Sequence, residues 1–136
     1  MTSTTTPLAP GESLEIRTPI GRRAHARVGR IWCAALPGDP AALAASSSLT
    51  LLERSRDADL VSVAIGSGRP HQIRIHCAAV GAPLVGDPLY RAGGLADPDA
   101  LPGDGGYRLQ AWRLQLRRPQ GAWLEFEVPE ALELPG

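Results

Sequence analysis

Nine consecutive residues near the middle of the chain, Gly68-Arg69-Pro70-His71-Gln72-Ile73-Arg74-Ile75-His76, bring together two guanidinium groups, two imidazoles and a carboxamide. They sit where a strand-like run gives way to a helix-like one. At such a junction the free backbone donors and the positive end of the helix dipole act in the same direction as Arg69, which is the chemistry of anion binding, a phosphate above all. A solvated helix start with incidental charge has the same composition, so residue types alone leave both readings open. A metal site is not expected. His71 and His76 are five apart, hence about 140° apart on a helix turning ~100° per residue, and they do not share a face. His25 is the only other imidazole, with no acid close by in sequence.

Other candidates are weaker. Cys33 and Cys77 lack the spacing of a redox or zinc pair, and Cys77 falls on a packing stripe, where a thiol acts as a small hydrophobe. Arg17, Arg22, Arg23, Arg27 and Arg30 place five cations in fourteen residues without an acid, which suits a phosphate backbone or a solvated strand edge. Trp32, Trp112 and Trp123 are of the type that stacks on bases, but at strand positions they read first as sheet-face residues. Asp87, followed by Pro88, reads as a turn former rather than a catalytic carboxylate.

The elements that must position these groups follow from pattern. Pro70 to Val80 predicts the main helix, with Pro in its first turn and Gly81 as a left-handed cap beyond its end. Ile73, Cys77 and Val80 form its buried stripe, while His71 and Arg74 share another face that can border a cleft. Leu49–Arg54 and Leu60–Ile65, with Val61, Val63 and Ile65 alternating, predict a hairpin joined through the polar stretch Ser55 to Asp59. Arg108–Arg117 and Ala122–Val128 predict a second. Leu14–Arg17 and Val28–Ala35 read as short strands, Asp39–Ser46 as one or two alanine-rich helical turns, and 92–106 as a long loop. The expected class is α+β, a mixed or antiparallel sheet with one main helix at about 70–80.

At 136 residues the chain has room for one domain and one core. Leu, Ile, Val and Phe make up about 23% of it, just above the ~20% at which chains cease to fold, so the core is expected to be thin. Net charge is zero, but residues 1–91 carry +3 and residues 92–136 carry −3. Every cation is Arg. With no signal-like N-terminus and no apolar run long enough for a membrane span, the expected location is the cytoplasm.

Residues 68–90, GRPHQIRIHCAAVGAPLVGDPLY, resemble the signature segment of the RluA family of RNA pseudouridine synthases, roughly GRxHQIRxHLAxxGxPIxGDxxY. Pro19-Ile20-Gly21 and Leu109-Gln110-Ala111-Trp112-Arg113-Leu114 are similar to flanking family segments, with Gln110 where His is usual, so the likeness runs over about residues 14–130. It implies isomerisation of uridine to pseudouridine in structured RNA, ribosomal or transfer, with no cofactor or metal: an aspartate attacks a flipped-out nucleotide, and the base detaches, turns and rejoins through carbon. It implies that Arg74 ion-pairs with that aspartate, that Ile73 lines the uracil pocket, and that Arg69, His71 and Gln72 belong to the RNA-binding surface, Arg69 and His71 near phosphate.

One departure shapes the expectation. The family's aspartate belongs to an HRLD motif upstream of GRxHQIR, and neither that motif nor the accompanying Tyr-bearing strand occurs here. Asp57 and Asp59 lie too close to Gly68 to replace it. The sequence therefore reads as a disordered leader (1–12), the C-terminal half of the catalytic domain (13–130) and a tail (131–136), with no partner for Arg74 in the chain. Three functional expectations follow: half of a split or truncated synthase completed by a second polypeptide, a non-catalytic RNA-binding remnant, or a decayed product that oligomerises through a bare sheet edge.

Overall fold

The computed structural model describes residues 8–54, 58–66, 68–101 and 109, and the backbone of 113–117 and 123–127. Nine strands and one α-helix follow in order: β1 (Ser13–Ile16), β2 (Ile20–His25), β3 (Gly29–Ala34), β4 (Ser47–Arg54), β5 (Asp59–Ile65), α1 (Gln72–Ala79), β6 (Tyr90–Arg91), β7 (Leu95–Ala96), β8 (Arg113–Arg117) and β9 (Trp123–Glu127). The class is α+β and every described pairing is antiparallel: β1-β4-β5 form one sheet, and β2-β3, β6-β7 and β8-β9 are two-stranded. No described helix is long and apolar enough to cross a membrane.

The β4-β5 hairpin forms where the period-2 pattern places it, with Leu49 opposite Val63 and Leu51 opposite Val61. A bulge after Leu51 leaves Leu52 unpaired and exposed, and restores the register at Glu53 opposite Leu60. Asp59 is the first residue of β5 rather than part of a turn, and its buried carboxylate takes Nε of Arg54 at 2.9 Å. β8-β9 likewise matches the second predicted hairpin, while the bend between them lies outside the described residues. Gly11 donates to the Leu51 carbonyl at 2.8 Å and Leu51 to the Glu12 carbonyl at 3.0 Å, so the chain is already tied to the sheet before β1; residues 1–7 lie outside the description.

Three expectations are corrected. Asp39–Ser46 is not helical. Ile20 and Leu43 exchange both backbone hydrogen bonds, at 2.9 and 2.8 Å, and this bridge holds the alanine-rich segment extended. The stretch before β3 carries an unforeseen strand, β2, whose sequence IGRRAH has no apolar alternation and is held by its register with β3. Residues 92–106 begin not as plain loop but as a 3-10 turn (Ala92–Gly94) closing the short β6-β7 pair.

Helix α1 lies at the junction of two cores. Ile75 and Ala78 pack with Ile20, Ile31, Ala34, Leu89 and Tyr90, and Cys77 packs with Ile16, Leu49 and Leu84, bordered by Ile73 and Val80. The predicted stripe of Ile73, Cys77 and Val80 therefore faces one core, and burial raises the Cys77 thiol to about 11, as befits an inert packing group. The helix ends as expected: Gly81 takes φ +81, and the Gly81 and Ala82 amides return to the carbonyls of Ala78 and Cys77 at 3.0 Å each. Its start is displaced. Pro70 lies in a turn in which the Gln72 amide reaches the Arg69 carbonyl, and His71 caps the helix with left-handed φ 53 and ψ 25.

Candidate active site

The segment from Gly68 to Tyr90 folds back so that its helix meets its own C-terminal turn. Arg74 projects from α1 into that turn and is gripped by Asp87: Nε donates to Oδ2 at 2.9 Å and Nη2 donates to Oδ1 at 2.8 Å. The Arg74 side chain is 5% exposed and that of Asp87 fully buried. Asp87 Oδ1 also accepts the amides of Leu89 at 3.0 Å and Tyr90 at 3.2 Å. Asp87 is thus both the turn former its sequence suggests and the partner of Arg74, correcting the expectation that the chain supplies none. Burial alone would raise its pKa, but the Arg74 fork and the two amides overcome that and hold the carboxyl below its ordinary value. A fully covered carboxylate tied on both oxygens is no nucleophile.

Tyr90 completes the clamp. The Arg74 guanidinium lies 4.9 Å from the centroid of its ring, and the Tyr90 hydroxyl donates to the Trp32 carbonyl at 2.8 Å, joining α1 to β3. On the other edge of Arg74, Nη1 lies 3.4 Å from His71 Nδ1, so the two residues meet as their helical spacing foretells.

Beside this clamp opens a cleft of about 230 Å³. Ile65, Ile73 and Leu109 supply its apolar wall, and Arg69, His71, Gln72 and Arg74 its polar one. It is smaller than the ~300–1,000 Å³ of pockets for drug-sized ligands. Arg69 is fixed through Nε, which donates to the Ala44 carbonyl at 2.9 Å. Gln72 borders the cleft but uses both ends of its amide inside the chain: Oε1 accepts the Arg69 amide at 3.1 Å, and Nε2 donates to the Ser46 carbonyl at 2.8 Å and to Ser47 Oγ at 2.9 Å. It braces the turn that carries Arg69.

His76 lies away from the cleft and is fully buried. Its Nε2–H donates to the Thr18 carbonyl at 2.8 Å, which leaves Nδ1 to accept the Ser47 hydroxyl at 2.7 Å. Both nitrogens are therefore engaged, Nδ1 holding α1 to β4 and Nε2 holding it to the link between β1 and β2. Burial lowers its pKa from 6.5, against the smaller opposing effect of the Thr18 carbonyl. The unfolded chain then binds the proton more readily, so stability is complete above about pH 6.5 and declines as pH falls below it. Urea midpoints measured from pH 8 to 5 are expected to show that decline, and His76→Gln to reduce its slope; an unchanged slope in the variant would contradict the assignment.

The five-arginine run does not form one open patch. Arg23 spends its guanidinium on the carbonyls of Ala34 and Ala35, Arg27 on that of Asp99, and Arg17 on Glu15, while Arg22 stacks 4.8 Å from the centre of the half-buried Trp32 ring. Trp112 lies outside the described residues, as does the side chain of Trp123.

The chain is 38% identical over 129 residues to an uncharacterized RNA pseudouridine synthase of Synechocystis, and 41% identical over 130 residues to RNA pseudouridine synthase 5 of Arabidopsis thaliana. These alignments take in 91% and 77% of the chain. By sequence, the chain belongs with the RNA pseudouridine synthases. A ribosomal large subunit pseudouridine synthase D, from Nitrosomonas europaea, is 38% identical over 85 residues. The chain spans only part of these synthases, 43%, 34% and 24% of their respective lengths. No family model matches it. Two residues of the synthase signature, Asp87 and Tyr90, prove to be structural partners of Arg74, a role that their distance along the chain conceals.

Proposed function

We propose that this chain carries the arginine-bearing wall of an RNA pseudouridine synthase active site and acts on uridine in structured RNA of the cytoplasm. The observation that carries the reading is the Arg74–Asp87 clamp at the edge of a cleft of single-base size, within the segment that resembles the synthase signature. A flipped-out uridine enters the cleft, with Ile73 against the base and Arg69 toward the RNA phosphate. Asp87 holds Arg74 so that its guanidinium can pair with a second carboxylate, the nucleophile. That nucleophile belongs to an HRLD segment supplied by polypeptide beyond these 136 residues, so that the folded part corresponds to half of the catalytic domain. Its attack on the nucleotide releases the base from its N1 bond; the base turns and bonds through carbon 5 as the carboxylate is released, the hydrogen of that carbon passes to water and N1 takes a proton from water. The reading invokes no cofactor and no metal.

The cleft's contribution to RNA binding is testable by itself. Fluorescence anisotropy with a uridine-containing stem-loop RNA is expected to give an affinity that falls steeply with salt. Arg69→Ala should weaken it by about 1 kcal/mol, for one lost charge-assisted contact. Affinity independent of salt, or unchanged in the variant, would remove Arg69 from the RNA surface.

A further inference from the structure

We infer that His71 turns an unprotonated Nε2 toward the cleft and accepts a hydrogen bond there from the bound nucleotide; this rests on the cleft being the nucleotide site. The Tyr90 hydroxyl has one proton, and it goes to the Trp32 carbonyl at 2.8 Å, since a carbonyl can only accept. At its second contact, 3.1 Å from His71 Nδ1, the phenol oxygen must then accept, which places a hydrogen on Nδ1. Arg74 Nη1 can only donate and, at 3.4 Å from the same nitrogen, favours the opposite tautomer, but it is the longest of the three contacts, and a bare Nδ1 would leave either the 2.8 Å or the 3.1 Å contact of the phenol without a hydrogen. A neutral imidazole carries a single N–H, so Nε2 holds a lone pair. Neutrality is itself favoured: burial and the Arg74 cation lower the His71 pKa, against a smaller opposing effect of Asp87.

The ring is also held in place. It meets Tyr90 edge to face, with centroids 5.8 Å apart, and its backbone stays in the left-handed region while the His71 carbonyl takes the first helical amide, that of Ile75, at 2.9 Å. Left-handed backbone is uncommon for histidine and persists where the surroundings fix it. His71 lines the cleft together with Arg69, but the two ask opposite things of a ligand. Arg69 donates and suits a phosphate oxygen. A neutral His71 repels that oxygen and requires a donor. On a uridine within an RNA strand, where the 3′ oxygen is esterified, the donors are the ribose 2′-hydroxyl and the N3–H of the base. His71 is therefore a specificity-determining residue for a donor of the nucleotide rather than a second phosphate ligand.

Long-range ¹H–¹⁵N correlation on the 136-residue chain at neutral pH reads the tautomer directly. The expected result is a protonated Nδ1 and a pyridine-type Nε2 for His71; the reverse tautomer, or a doubly protonated ring, overturns the inference without needing any variant. Titration with uridine 3′,5′-bisphosphate, whose 3′ oxygen is blocked as in RNA, its 2′-deoxy analogue and its N3-methyl analogue then identifies the donor. One analogue is expected to bind about 5- to 10-fold more weakly than the parent, as for one lost hydrogen bond. His71→Gly, which suits the positive φ, should remove that difference while the parent nucleotide still binds. Equal affinities for all three in the unmodified chain overturn the role of His71 and leave the cleft reading standing. No binding of the parent nucleotide overturns the cleft reading and this inference with it.

Discussion

Asp87→Ala will cost the fold about 3–5 kcal/mol, because it leaves the Arg74 guanidinium buried and uncompensated. The penalty is not the strength of one ion pair. Nε and Nη2 of Arg74 both lose their acceptor, and the amides of Leu89 and Tyr90 lose theirs, in a turn from which water is excluded. For a domain whose whole stability is of order 5–15 kcal/mol, such a loss approaches unfolding. Arg74→Ala alone should be as damaging, since it strands the fully buried carboxylate. The pair Arg74→Ala with Asp87→Ala should cost less than the two single losses added, as no unmatched charge then remains. Urea denaturation of the four proteins closes the cycle. Additive effects, or an Asp87→Ala midpoint equal to the parent's, would show that the two side chains do not support each other. Because the carboxyl is held below its ordinary pKa, its contribution is present above about pH 4 and fades only as pH falls through the lower native value.

Arg74→Lys is expected to abolish isomerisation, by at least about 100-fold in kcat, in a polypeptide that also carries the HRLD segment. Lysine keeps the charge but not the fork: one ammonium cannot serve both Asp87 oxygens and also face a second carboxylate in a fixed direction. The proposed role of Asp87 is to hold the guanidinium plane in one orientation, over the ring of Tyr90, in which it also meets the nucleophile. With lysine that orientation is lost even where the fold survives. Circular dichroism separates the two effects, and tritium release from carbon 5 of labelled RNA uridine measures the activity. Retention of more than a tenth of the parent rate would show that charge alone suffices.

Legibility in the sequence followed the range of each interaction. The β4-β5 hairpin, the buried stripe of α1 and the Gly81 cap were readable, because each is written in residues a few positions apart. β2 was not, since two adjacent arginines mask a strand that exists through pairing with β3 and through the Ile20–Leu43 bridge. That bridge also overrides the helical propensity of the alanines near Leu43. In the site, the meeting of His71 and Arg74 followed from helical spacing, and the cluster at the start of α1 is where the cleft opens. The partner of Arg74 was missed: Asp87 lies thirteen residues away across a turn, and Asp-Pro is sufficiently explained by turn formation alone. Gln72 was legible as polar but not in its direction, because Ser46 and Ser47, its acceptors, come from β4 and the residue before it.

The measurement that bears most directly on the account is tritium release from carbon 5 of RNA uridine by residues 1–136 alone, and again after addition of the HRLD-bearing part of a pseudouridine synthase. No release above RNA alone is expected in the first case, because Asp87 is wholly engaged by Arg74 and two amides, and release that depends on Arg74 in the second. Turnover by the 136 residues without any other polypeptide would contradict it, for one of their own acids would then be the nucleophile.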